Sequence, residues 1–419
     1  MDESKLHERI RLAIDEFLLS ENTTTEAKEA LLRYAEARPR HANPDPIIPT
    51  EEVRIRLELI AKLEKTINTP TGAFASDADG GFQFTHLQLS YLILIPLEFL
   101  RRLSQESYTL RHPYYTIDSY ISFMVRGRMP GEKSTQNQTA SQASRGGSLR
   151  GRGSQRGDSR SRSSQRKSSD GGTDTKSVNR NTRERDKCFA RDGGVCILTG
   201  AAYPEVCHII PFAITASAAS ISQCHFFVPA VEGLLGGEDA QSFHELLLLA
   251  PGSSDKSWNM LCLHPTLHSW WGKCLFGLKF HGIIPSLENE NCIFQLQFHW
   301  LPRTGNNPAE RIKVDNDAIA RMLQTIQREQ DKGLIMESRK ENCRPIETGD
   351  VFSLVMAKED AAKMKVMIDI QWANAKLAAI SGAADFWEPP AGYSSDPDVD
   401  PSDHVADWLE TLQPPETLP

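Results

Sequence analysis

The chain has 419 residues, 39 % hydrophobic and 24 % charged, with a formal net charge of −8. That length accommodates two or three domains with real cores, and the acidic balance excludes a uniformly basic protein that coats nucleic acid. Eight cysteines without a Cys-x-x-Cys pair give little support to a zinc ribbon or finger and fit free thiols in a reducing compartment. The N-terminus, Met1-Asp2-Glu3-Ser4-Lys5, has no signal-peptide core, which predicts an intracellular location, nuclear or cytoplasmic, rather than secretion.

Residues 4–38 read as two helices. Leu6, Ile10, Ile14, Phe17 and Leu18 recur at helical spacing, Ser20-Glu21-Asn22 interrupts them, and Thr24 or Thr25 caps a second run through Ala30, Leu31, Leu32 and Tyr34. Pro39, Pro44, Pro46 and Pro49 make a stiff connector to an amphipathic helix from Glu51 to Ile67. The most apolar run, Leu87 to Leu100, is too short to span a bilayer and contains Ser90, Pro96 and Glu98. It predicts a buried helix broken near Pro96 and no membrane association. The whole of 1–124 reads as a helical packing or partner-binding region.

From 125 to 183 the composition changes. Between Gly131 and Arg183 aromatic residues vanish and twelve basic residues stand against four acidic ones. Such a segment cannot bury enough apolar surface to offset chain entropy and reads as a disordered basic linker. Its arginines suit nonspecific contact with phosphates or a nuclear-import signal.

The segment 184–302 carries the chemistry. Arg185 to Arg191 reads as a short helix, with Arg185, Lys187 and Arg191 as basic contacts for nucleic acid. Val195–Leu198 and Glu205–Ile209 are short β-prone runs joined by a Gly-containing loop, which predicts a hairpin. Pro265 stands where a helix would begin, and that helix holds Leu267, His268, Trp270 and Trp271. Hairpin and helix make a ββα unit. On the second strand His208 faces opposite to Cys207, while Glu205 and Cys207 share a face. The long insertion between His208 and Asn259 is expected to form helices covering the site, with His225 and His244 as surface or packing groups. His264 suits a capping or solvent role, Cys196 a core position, and Trp270 and Trp271 the core. Phe276–Phe280 and Phe294–Trp300 alternate as half-buried strands.

Taken together, Arg191-Asp192-Gly193, Cys196 to Gly200, His208-Ile209-Ile210-Pro211, Asn259 and His268 resemble the HNH endonuclease family. The likeness is strongest to fungal proteins in which such a module sits in a larger helical chain. The nine-residue step from Asn259 to His268 matches the family spacing, and Gln297-Phe298-His299-Trp300-Leu301-Pro302 also looks like those chains. The resemblance implies a ββα-metal core in which His208 is the general base, Asn259 holds the loop carrying it and His268 ligates one divalent cation. Mg²⁺ or Mn²⁺ is the expected ion, with Zn²⁺ favoured if a sulfur takes part. Glu205 and Cys207 are the further candidate ligands. Family members often place Asp or His where Cys207 and Gly272 stand here. The implied activity is hydrolysis of nucleic-acid phosphodiesters, DNA being the favoured partner. The alternative is a non-catalytic HNH scaffold that binds nucleic acid or protein.

Helices are expected again over 303–383, near Pro308 through Ile326 and from Val351 to about Ala383. The stretch 384–419 reads as an acidic disordered tail with one short amphipathic run, Val405 to Leu412, and either this tail or the helical ends could dock a protein partner. The fold class is therefore α+β, mostly helical: a central ββα module between helical regions, with a basic linker and an acidic tail.

Overall fold

The computed structural model describes residues 3–20, 23–36, 41–48, 50–68, 82–105, 111–126, 180–285, 290–314, 324 and 345–386. Most of the basic linker, the acidic tail with its Val405–Leu412 run, and the helix expected through Ile319 and Ile326 lie outside them. The architecture is α+β and mostly helical, with two small antiparallel sheets. Among the described residues no helix is long and apolar enough to cross a membrane.

The N-terminal helices are α1 (Glu3–Leu19), α2 (Thr25–Glu36), α3 (Val53–Ile67), α4 (His86–Leu94), α5 (Leu97–Gln105) and α6 (Arg111–Arg126). Thr85 opens α4 with a reciprocal capping box, its side chain accepting from Gln88 N–H while the Gln88 side chain accepts from Thr85 N–H. The break between α4 and α5 falls at Pro96, as its missing N–H requires. The carbonyl exposed there, that of Ile95, is taken by the buried Arg56 guanidinium at 2.5 Å, which also pairs with Glu52 at 2.7 Å.

After α7 (Thr182–Arg191) comes β1 (Glu205–His208). The insertion then supplies α8 (Ala218–Cys224), α9 (Val228–Leu235) and α10 (Gly237–Leu247). The chain closes on β2 (Met260–Leu263) and α11 (Pro265–Gly272). Here the expected pairing is corrected. β1 pairs antiparallel with β2, with His208 opposite Met260 and Glu205 opposite Leu263. The run Val195–Leu198 makes only an isolated bridge, Val195 to Ala202. It is curled into a turn in which Gly200 N–H donates to Cys196 O at 2.8 Å, and Ile197 N–H reaches across to Cys262 O. The ββα unit thus takes its second strand from beyond the insertion.

The insertion is helical, as expected, but it is built into the body of the protein rather than laid over the site. α9 meets α6, and both α9 and α10 meet the long helix of the C-terminal part. Phe227, Phe243 and Leu247 are buried in the same core as Tyr91, Leu92 and Tyr120. The reason is composition: Phe227, Ala230, Val231 and Leu234 make one side of this segment too apolar to leave in water.

β3 (Phe276–Pro285), β4 (Asn291–Trp300) and β5 (Val351–Ala357) form the second sheet, in that order. β4 is buried on both faces from Phe294 to His299, because it is the central strand and not half-buried. The expected helix from Val351 begins only at Lys358, as α12 (Lys358–Ser381). Val351–Ala357 alternates buried and exposed side chains and pairs with β4 instead. Of the helix expected from near Pro308 through Ile326, residues 308–314 form a turn and a bridge from Arg311 to Thr85, Gln324 is helical, and the remainder lies outside the described residues. α12 lies against β3, where Gly277 is required: a Cβ there would come within 2.7 Å of the Trp372 ring.

Candidate functional site

The site is assembled by three short segments converging on β1 and β2. α7 is anchored first. Asp192, at its C-terminal end, accepts from Cys262 N–H of β2 at 2.8 Å and from Arg191 at 2.6 and 3.0 Å. Arg191 also donates to Ser257 O and Met260 O, each at 2.8 Å. The Arg-Asp pair is therefore a staple between α7 and β2. Arg191 is turned inward, which leaves Arg185 and Lys187 as the basic residues of the expected three that face solvent. Lys187 meets Glu184 at 2.7 Å.

Asn259 is fully buried and acts as a two-loop clamp. Its Oδ1 accepts from Ile210 N–H at 2.9 Å, and its Nδ2 donates to Ile210 O and to Ser254 O, both at 2.9 Å. Its own carbonyl accepts from Ile209 N–H at 2.8 Å. One loop follows His208; the other carries Asp255. The second loop is further fixed by Thr215, whose Oγ1 accepts from Ser254 N–H at 3.2 Å.

The two loops bring His208 and Asp255 together, Nε2 to Oδ1 at 3.1 Å, with both side chains nearly sealed from solvent. Burial pushes the Asp255 carboxyl upward. Hydrogen bonds from His208 and from the Asn181 backbone N–H, with the charges of His208 and Arg180, outweigh that and hold it below the usual carboxylate range. An ionised carboxylate only accepts, so His208 Nε2 must carry the proton. The other ring nitrogen, Nδ1, is buried and has no hydrogen-bond partner among the described residues. Phe212 flanks the imidazole at 5.9 Å between centroids, and the Arg180 guanidinium lies over the Phe212 ring at 5.7 Å.

His268 projects from α11 into contact with Glu205 of β1, Nδ1 to Oε2 at 2.6 Å. The expected partners Glu205 and His268 are thus adjacent. The thiol of Cys207, two residues along the same strand from Glu205, is buried and donates to Leu261 O at 3.2 Å. His264 occupies the N-cap of α11 but forms no side-chain capping bond. His225 and His244 face each other in the insertion with ring centroids 5.2 Å apart. Cys196 is in the core, and so is Trp271, while Trp270 is partly buried against it.

A second donor cluster lies behind the staple. The ligand atoms of Cys188, Asp192 and Cys262 fall within 4.8 Å of one another, all buried. Arg191 Nη2 stands 3.3 Å from Cys188 Sγ and 3.0 Å from Asp192, so a positive charge is already supplied there by the protein. A hydrogen bond with Cys262, together with burial, pushes the Cys188 thiol up and keeps it protonated. The seven described cysteines are all free.

Asp255 is the residue that sequence reasoning missed. It sits in Gly252-Ser253-Ser254-Asp255, which reads as ordinary turn chemistry. Nothing in its spacing from His208, 47 residues away, marks it as a partner.

No curated protein and no solved structure matches the chain. Residues 196–279, which span β1, β2, α11 and the insertion, match a family described as HNH endonuclease. The chain therefore carries an HNH-family domain, which supports a nuclease-type function in general.

Proposed function

We propose that this protein is a metal-dependent endonuclease that hydrolyses nucleic-acid phosphodiesters, with DNA as the favoured substrate. The observation that carries this reading is the state of His208. Its Nε2 is tied to an ionised carboxylate while its Nδ1 is buried and unpartnered among the described residues.

In the proposed mechanism a water molecule attacks the phosphorus atom and loses a proton to His208 Nδ1. The bond from phosphorus to the leaving oxygen breaks, and that oxygen takes a proton from solvent. Asp255 holds the imidazole in the tautomer that leaves Nδ1 basic and stabilises the imidazolium that forms. Asn259 fixes the loops bearing both groups. Glu205 and His268 supply one carboxylate and one imidazole, a donor set that fits a divalent cation retaining several waters, Mg²⁺ or Mn²⁺ in particular. When bound, that ion would stabilise charge on the phosphate and the leaving oxygen. The Cys207 thiol donates to Leu261 O, which favours the carboxylate–imidazole set over one with sulfur, and so Mg²⁺ or Mn²⁺ over Zn²⁺.

The absence of a carboxylate or imidazole at Cys207 and Gly272 is the observation favouring the rival reading, a scaffold that binds without cutting. A plasmid-nicking assay with Mg²⁺, Mn²⁺ and Zn²⁺ decides between them. We expect nicking by the native protein with Mg²⁺ or Mn²⁺, and a loss of about 10²-fold or more in His208→Ala and His268→Ala. Equal background in all three would overturn the enzyme. DNA binding that persists without cleavage and falls steeply with salt would establish the scaffold.

A further inference from the structure

Tyr203 is the outlier of the site region. Its side chain is 92 % exposed, and its backbone is in the left-handed region at φ 59°. A tyrosine gains nothing from that conformation, and an exposed aromatic gains nothing from water, so folding accounts for neither. The chain nevertheless fixes it there. On one side Ala202 is bridged to Val195, and on the other Pro204 leads directly into Glu205. Only Pro204 separates Tyr203 from Glu205, so their α-carbons are no more than about 7 Å apart.

Tyr203 lies in the turn that follows α7, and α7 carries an exposed aromatic of its own, Phe189, which is 44 % exposed. One turn back along α7, on the same face as Phe189, is the exposed Arg185. Among the described residues no ring or cation covers Tyr203.

We propose that Tyr203 is a base-stacking platform that binds unpaired nucleotides next to the cleavage site, so that the preferred substrate is single-stranded or locally melted nucleic acid. This inference rests on the nuclease reading for its substrate class. A base inside a duplex presents no free face to an aromatic ring, whereas every unpaired base does, and stacking does not depend on sequence. Arg185 supplies the accompanying contact to the backbone phosphate.

The test uses the full chain carrying His208→Ala, so that bound substrate is not cut, and measures fluorescence anisotropy with labelled oligothymidylate and with a labelled duplex. The key variant is Tyr203→Gly, because glycine adopts a positive φ without strain and the fold is kept. We expect its melting temperature to equal or exceed that of the parent. Its affinity for oligothymidylate should fall roughly 5- to 100-fold, with less than about a 2-fold change for duplex. Tyr203→Trp should retain the single-strand affinity. Unchanged oligothymidylate binding in Tyr203→Gly, or an equal loss on both probes, overturns the platform. If the native chain fails to cut plasmid while Tyr203→Gly still loses oligothymidylate, the platform stands and the nuclease reading falls. If cutting persists while Tyr203→Gly binds as its parent does, the reverse holds.

Discussion

At the scale of single residues, the chemistry turns on how two ring nitrogens are shared out. Asp255 takes one nitrogen of His208 and leaves the other. Asp255→Asn could present its amide oxygen to the same proton, but it carries no charge to stabilise the imidazolium. We expect nicking to slow by roughly 10-fold or more with the fold intact, read by initial rates alongside circular dichroism. The acid response follows from the same group. Because Asp255 is held below its ordinary value of 3.8, the folded chain binds its proton less readily than the unfolded one. Its contribution to stability is fully present above that value and is lost as pH falls below it. Urea midpoints measured from pH 5 downward should drop less steeply in Asp255→Asn than in the native protein. Residue identity was the most legible level of the sequence: His208, Asn259, Glu205 and His268 stood out by type and spacing. Asp255 did not, because an acid in a Gly-Ser turn looks the same whether it serves a histidine or the solvent.

At the scale of elements, the site depends on joints rather than on regular structure. Asn259 satisfies Ile210 N–H, Ile210 O and Ser254 O in the fully buried interior. Asn259→Ala would strand all three, and we expect a loss of roughly 2–5 kcal/mol in chemical unfolding. Gly277→Val tests a different joint, that between β3 and α12. It should cost roughly 1–3 kcal/mol by forcing the Trp372 ring aside while leaving the site residues untouched. Pairing of elements was the least legible level. The partner of β1 lies beyond three helices, and a local reading assigns a strand to its nearest β-prone neighbour. β5 was hidden for another reason: no glycine or proline falls between Val351 and Ser381, so strand and helix read as one element. The N-terminal helices and the break at Pro96 were legible because caps and prolines mark them locally.

At the scale of the whole molecule, the HNH-family segment is not a separable bead. One continuous hydrophobic core runs from Ile47 and Ile60 through Phe227 and Leu261 to Phe294 and Leu377. A fragment of residues 180–302 would expose the sides of α9 and α10 that meet α6 and α12. We expect it to lose near-ultraviolet circular dichroism while the full chain keeps it. The C-terminal half also places a lysine at a packed joint. Burial, aided by Lys279, pushes the Lys376 amine down to about 8 from an ordinary 10.5. Between those values the unfolded chain holds a proton that the folded chain has released, so stability should rise with pH across that window. Lys376→Met should raise the melting temperature at pH 7 and flatten the rise.

The Asn181 backbone N–H, at the N-cap of α7 and within the last residues of the basic stretch, donates to the same Asp255 carboxylate that holds His208. The peptide at the end of the basic stretch is thus a peg on the carboxylate that orients His208. In the proposed nuclease, a pull on the chain at Arg180 would therefore load the contact that sets the general base, joining capture by the linker arginines to cutting. A protein beginning at residue 184 would contain every motif residue and still lack the peg.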